Sequence, residues 1–100
     1  MNENKIYGYL GLAARGRKLV SGEFMTEKAV KEGSARLVIL AEDASDNTKK
    51  MFGNMCEFYQ VPLYTMSNKE LLGHAIGKQI RASLAVTDDG LAKAIKKQFA

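Results

Sequence analysis

Acidic residues follow two of the apolar runs in this chain: Glu42-Asp43 comes after Leu37-Val38-Ile39-Leu40-Ala41, and Asp88-Asp89 after Ala82-Ser83-Leu84-Ala85-Val86. Lys69 follows a third run, Leu63-Tyr64-Thr65-Met66. Brought to one edge of a sheet, these carboxylates would offer hard oxygen ligands to Mg²⁺ beside a lysine, the parts of a small phosphoryl-handling site. Each acid also stands where a helix start favours one, and capping is the commoner use of an acid there. His74, the only histidine, has no ligand-type partner one helical turn on, so nothing builds a metal site around it. Cys56, the only cysteine, falls in a stripe with Met51, Phe52, Met55 and Tyr59. A thiol in such a stripe fills core and is not a nucleophile for His74 to activate, and alone it forms no intramolecular disulfide.

The basic residues suggest a different chemistry. Arg15-Gly16-Arg17-Lys18 precedes Ser21-Gly22, where the pattern opens a helix running to about Glu32. The first turn of a helix carries unpaired N–H groups and partial positive charge, and a glycine there lets a phosphate approach. An ordinary capped helix beside a solvated basic turn fits the same residues. Fifteen Lys and Arg against eleven Asp and Glu give a net charge of +4, which favours polyanionic partners without naming one.

The elements that must position these groups follow from periodicity. Arg36 to Asp43 reads as a buried central strand, since an apolar run without alternation is covered on both faces. Gly33-Ser34 stops the helix before it, and Ala44 to Thr48 starts the helix after it. Ile6, Tyr9, Leu10 and Ala13 recur at helical spacing over Asn2 to Ala14, with Gly8 and Gly11 placed for close helix packing. Leu19-Val20 adds a short strand. Val61-Pro62 ends the Met51 to Tyr59 helix, and Leu63 to Met66 is a further strand. Ser67-Asn68-Lys69-Glu70 reads as a capping box with Ser67 as the cap, ahead of core-facing Leu71, Leu72, Ala75 and Ile76, and Gly77 closes that helix. After an exposed connection from Gly77 to Arg81, Ala82 to Val86 forms the last strand. Thr87 or Asp88 then caps a helix with Leu91, Ala94, Ile95 and Phe99 inward and Lys93, Lys96 and Lys97 on a solvated face.

Strands alternating with helices predict an α/β protein, a three-layer α/β/α sandwich around a small mixed sheet of about four strands. One hundred residues with 46% hydrophobic content suit one domain spanning 1–100. No apolar run approaches the roughly 18 to 20 residues that cross a bilayer, so the expectation is a cytoplasmic chain without signal peptide or membrane helix.

Several residues in order carry a resemblance. Gly22 is followed by Lys28 and Gly33, then come the strand from Arg36 to Asp43, Cys56-Glu57 and Val61-Pro62, and Lys69 leads into Leu72-Gly73-His74-Ala75-Ile76-Gly77. From Leu12 to Val86 the chain resembles the L7Ae family of ribosomal and kink-turn RNA-binding proteins, in particular its small bacterial YlxQ-type branch. The resemblance implies a non-enzymatic protein that needs no cofactor or metal. Its partner would be structured RNA, ribosomal or otherwise kink-turn-like, with the ribosome itself a candidate. It also implies contacts from Gly22, Phe24, Met25 and Lys28 at the second helix, Asp43 and Ser45 after the central strand, Lys69, and Lys78, Ile80 and Arg81 before the last strand. Amides at Gly22 would meet a phosphate, Lys28, Lys69, Lys78 and Arg81 would neutralise backbone charge, and Ile80 would pack on an unstacked base.

At one place the chain departs from that pattern. Many kink-turn binders carry Asn-Glu where this sequence has Phe24-Met25, and apolar side chains cannot reproduce hydrogen bonds to purine edges. Two rivals stand beside the RNA reading: a protein-interaction module of the same fold and a Mg²⁺-dependent receiver-like domain.

Overall fold

Leu37-Val38-Ile39-Leu40 is apolar on both faces because both are covered. The computed structural model describes residues 1–100. The elements are α1 (Glu3–Arg15), β1 (Leu19–Ser21), α2 (Glu23–Lys31), β2 (Leu37–Leu40), α3 (Asp46–Tyr59), β3 (Leu63–Thr65), α4 (Lys69–Ala75), β4 (Ser83–Val86) and α5 (Asp89–Phe99). The strands form one sheet in the order β1-β4-β2-β3. β4 runs antiparallel to both β1 and β2, while β2 and β3 are parallel.

Alternation along the strands divides the core in two. Leu37, Ile39, Leu84 and Val86 pack with Ile6 and Leu10 of α1, Leu72 of α4 and Ile95 of α5. Val38, Leu40 and Ala85 face the other way, onto Ala29 and Val30 of α2 and Phe52 and Cys56 of α3. The result is the expected α/β/α sandwich, with a mixed sheet at its centre. Leu37, Val38, Ile39, Leu84 and Val86 are wholly buried, and each such side chain removed from water favours folding by about 1.5–3 kcal/mol.

The structure corrects several expectations. The central strand is shorter than Arg36 to Asp43: Arg36 is exposed, and Glu42-Asp43 lies in a turn. Ser21 belongs to β1, so Gly22 alone caps α2, without a side-chain hydrogen bond. Asn68, not Ser67, is the N-cap of α4: its Oδ1 accepts from the Leu71 amide at 2.8 Å. Ser67 has φ +63°, and its hydroxyl lies 2.6 Å from the Tyr7 hydroxyl, so α1 holds the turn before α4. Leu71 and Tyr59 are exposed. Leu71 falls outside the stripe because α4 is short and only Leu72, Gly73 and the following Ile76 turn inward. Of the paired glycines, Gly11 alone is a close approach, with a notional Cβ 3.3 Å from the Ala75 carbonyl oxygen; nothing lies near Gly8.

Topology also overturns the convergent acid pocket. Because β2 and β4 are antiparallel, Leu37 pairs with Val86 and Leu40 with Ser83. The ends from which Glu42-Asp43 and Asp88-Asp89 emerge therefore point in opposite directions. Asp88 instead caps α5 and lies 3.6 Å from Lys18, and Asp89 pairs with Arg36 at 3.1 Å. No Cys56–His74 pair forms either, since Cys56 lies on the buried face of α3 and His74 is exposed on α4, across the sheet. Burial pushes the Cys56 thiol up to about 11, which keeps it protonated.

Asp88 shows how one cap couples folding to pH. The Leu91 amide donates to its carboxylate at 2.9 Å, and that bond, aided by Lys18, holds the carboxyl below its usual value. A folded pKa below the unfolded one means stability that is fully present above the unfolded value and lost as pH falls through the folded one. Asp88→Ala should therefore lower the melting temperature at pH 7, with the gap to the parent closing as pH falls below the ordinary aspartate range. Thermal melts across that range check it; a gap that stays constant down to pH 3 would contradict the account.

Candidate functional site

The antiparallel insertion of β4 gathers one set of loops at one end of the sheet. The C-terminal ends of β1, β2 and β3 and the N-terminal end of β4 lie together there. Gly22, Asp43, Lys69 and Arg81 meet at this end through a chain of hydrogen bonds. The Asp43 carboxylate accepts from the Lys69 amide at 2.9 Å, and the Lys69 carbonyl accepts from the Arg81 amide at 3.0 Å. Arg81 Nε donates to the Ser21 hydroxyl at 3.0 Å, and the Gly22 amide donates to the Ser83 carbonyl at 2.9 Å. Residues far apart in sequence are thus tied into one rim.

Gly22 has φ +91° and ψ 158°, a conformation essentially confined to glycine. A Cβ there would meet nothing within 4 Å, so the requirement is conformational and the space in front of it is open. The Gly22 carbonyl accepts the Thr26 amide, which leaves the amides of Glu23, Phe24 and Met25 without intrahelical partners. Thr26, Ala29 and Val30 form the buried stripe of α2. At 100° per residue that stripe turns Phe24, Met25 and Lys28 outward. Phe24 is 75% exposed and Met25 42%.

The 77–81 connection carries Lys78, Ile80 and Arg81, and the Arg81–Ser21 bond brings its end beside the start of α2. Ile80 is 54% exposed and borders a groove of about 650 Å³ with Leu71, His74 and Lys78. The connection is held against α4: Lys78 N–H donates to the Gly73 carbonyl at 2.7 Å. Lys28, Lys69, Lys78 and Arg81 take part in no ion pair; the pairs present are Lys18–Asp88, Lys31–Glu27 and Arg36–Asp89. The three lysines are available to an anion from outside, while the Arg81 guanidinium, its charge also unneutralised, already donates to the Ser21 hydroxyl and the Ile80 carbonyl.

Two expected residues have mainly local employment. Asp43 uses its carboxylate on the Lys69 amide, and Ser45 is the N-cap of α3, accepting from the Thr48 amide at 3.1 Å. The basic corner expected at Arg15 to Lys18 is split. Lys18 turns to Asp88 at the far end of β1, while Arg15 and Arg17 border a groove with Ser21 and Lys78. Sequence reasoning missed the positioning role of Gly73, a small residue between Leu72 and His74 whose only signal was its size.

Residues 4–96 match the model of a family described as ribosomal protein L7Ae/L30e/S12e/Gadd45. The chain is 47% identical over 83 residues to RNA-binding protein YlxQ of Bacillus subtilis (strain 168), covering 83% of each chain. It is 34% identical over 96 residues to RNA-binding protein YlxQ of Enterococcus faecium, covering 96% of this chain and 92% of that one. Among solved structures, a protein of unknown function from Bacillus halodurans C superposes with a TM-score of 0.90 at 42% identity, over 93% of this chain and 94% of that one. The Giardia lamblia 15.5kD RNA binding protein superposes with a TM-score of 0.82 over 95% of this chain and 82% of that one; at 23% identity the likeness concerns the fold.

A Cβ on Gly73 would lie 2.6 Å from the Gln79 carbonyl oxygen and 2.7 Å from its carbon. Both are backbone atoms, so the connection would have to move. Gly73→Ala should lower stability by about 1–3 kcal/mol in urea unfolding, with amide shift changes concentrated at residues 77–81. Shifts spread evenly over the protein, or none at 77–81, would contradict this placement.

Proposed function

This chain belongs to the ribosomal protein L7Ae/L30e/S12e/Gadd45 family, and we propose that it is a non-enzymatic binder of structured, sharply bent RNA of the kink-turn type, acting in the cytoplasm in association with the ribosome. All 100 residues serve as one RNA-binding domain. The observation that carries the reading is the shared rim at one end of the sheet. Lys28, Lys69, Lys78 and Arg81, none of them in an ion pair, accompany the open amides of Glu23, Phe24 and Met25 and the exposed side chains of Phe24, Met25 and Ile80. Cations alone would suit any polyanion. Exposed apolar side chains among them suit a nucleic acid whose bases have left the stack. The names of the YlxQ relatives and the ribosomal members of the family support the same partner.

Each group has a role. The unpaired amides at the start of α2, aided by the helix dipole, bind a phosphate, and Gly22 leaves them accessible. Lys28, Lys69, Lys78 and Arg81 neutralise backbone charge. Ile80, with the groove beside it, receives an unstacked base. Asp43 orients Lys69 through its backbone and touches RNA as an acceptor for exocyclic amines. Ser45 holds the start of α3 and offers its hydroxyl at the margin.

Phe24 and Met25 set the specificity. They cannot make the edge hydrogen bonds that Asn-Glu makes to purines, so they pack against base faces, and discrimination rests on bend geometry and phosphate spacing. A protein-docking role finds its support elsewhere, in Phe58, 78% exposed and in edge-to-face contact with Tyr59. Binding through that pair would be insensitive to salt and to changes at Lys69 or Arg81.

Lys28→Ala and Arg81→Ala should each weaken binding to a kink-turn RNA and reduce the slope of log affinity against log salt by about 0.9. Titrations at several salt concentrations read this directly, and an unchanged slope in both variants would remove the rim from the interface. Replacing Phe24-Met25 by Asn-Glu should raise the preference for a kink-turn over a straight duplex of equal length. Competition between the two RNAs measures it, and an unchanged ratio would mean that the protein reads a different motif.

A further inference from the structure

The grooves on the two flanks of the rim carry opposite charge. One, of about 450 Å³, is bordered by Glu3, Glu42 and Asp43 together with Tyr7 and Ser67. The other, of about 490 Å³, lies between the C-terminal end of α1, the free edge of β1 and the Ile76–Lys78 turn, and carries Arg15, Arg17 and Lys78. A phosphate backbone leaving the rim is repelled by the first and attracted by the second.

The second groove has further features of an anion path. Arg15 and Arg17 are exposed and take part in no ion pair. β1 is an outer strand of the sheet. Its hydrogen-bonded positions opposite β4 include Lys18 with Thr87 and Gly22 with Ser83, and the antiparallel alternation turns the N–H groups of Leu19 and Ser21 toward the open edge. Arg17 has φ +58°, a left-handed conformation in which a non-glycine residue is disfavoured. Glycine would relieve that strain and remove the charge. Lys78 borders both this groove and the one beside Ile80, so the two are neighbours.

We propose that Arg15, Arg17, Lys78 and the open edge of β1 form a second phosphate-binding surface, along which one helical arm of the bound RNA runs after the bend. This rests on the RNA-binding reading above and adds a direction to it: the RNA leaves toward β1 and away from Glu3 and Glu42. Arms of unequal length would then not be equivalent, and affinity would grow with the length of only one of them.

Fluorescence titration over a salt series, with the full chain and three RNAs, tests the surface. The RNAs are a minimal bent RNA and two versions with one or the other arm extended by a full helical turn. Extension of one arm should tighten binding and steepen the salt slope by about 0.9 for each added phosphate contact, while extension of the other should change neither. Arg15→Gln with Arg17→Gln should abolish the gain and leave the minimal RNA bound as before. Arg15→Lys with Arg17→Lys should retain it, as should Lys96→Gln with Lys97→Gln on α5. The proposal is overturned if neither extension tightens binding, if both do so equally, if the glutamine variant keeps the gain, or if it weakens the minimal RNA as much as the extended one. If no RNA binds to the parent protein, the reading of the rim fails as well and takes this surface with it.

Discussion

Everything at the rim depends on where β4 lies. Its hydrogen bonds run to β1 on one side and to β2 on the other, antiparallel to both. That single insertion decides which loops share an end of the sheet. A parallel β4 would have carried Asp88-Asp89 toward Asp43 and sent Arg81 to the far end. The pairing instead brings Arg81 beside Ser21 and Lys69, within hydrogen-bond distance of both. The pairing is in turn enforced by burial: Leu84 and Val86 face one core and Ala85 the other, so a register slip of one residue would exchange their faces.

Local signals carried most of the architecture. The apolar run at Leu37–Leu40, the 3.6-residue period of α1, α3 and α5, and the glycines at helix ends predict the elements and the three-layer arrangement that the structure contains. Strand direction is a long-range property and left no local trace, which is why the acids after β2 and β4 could be imagined in one pocket. The Ser67 cap failed for a related reason. Ser67 and Asn68 are both good caps by type, and the contact that withdraws Ser67 comes from Tyr7, at the other end of the chain sequence. Leu71 and Tyr59 extended apolar stripes past the point where a neighbouring element covers them.

The candidate residues were legible only in part from pattern. Consecutive helical positions diverge by about 100°, so Phe24 and Met25 do not both turn inward easily, and the structure shows both exposed, away from the stripe of Thr26, Ala29 and Val30. The roles of Lys69, Lys78 and Arg81 came from family resemblance, since a lone cation on a loop has no periodic signature. Gly73 was invisible as a spacer because its constraint is the Gln79 backbone packed against it, a contact made only in three dimensions.

The outward turn of Phe24 and Met25 also bears on how this protein can change over generations. Neither side chain belongs to either core cluster, so replacing them leaves the burial that stabilises the fold untouched. On the reading proposed above, selection on the partner and selection on folding act on separate residues of the same helix. Two adjacent codons of α2 can then change together, while Thr26, Ala29 and Val30 hold the scaffold constant.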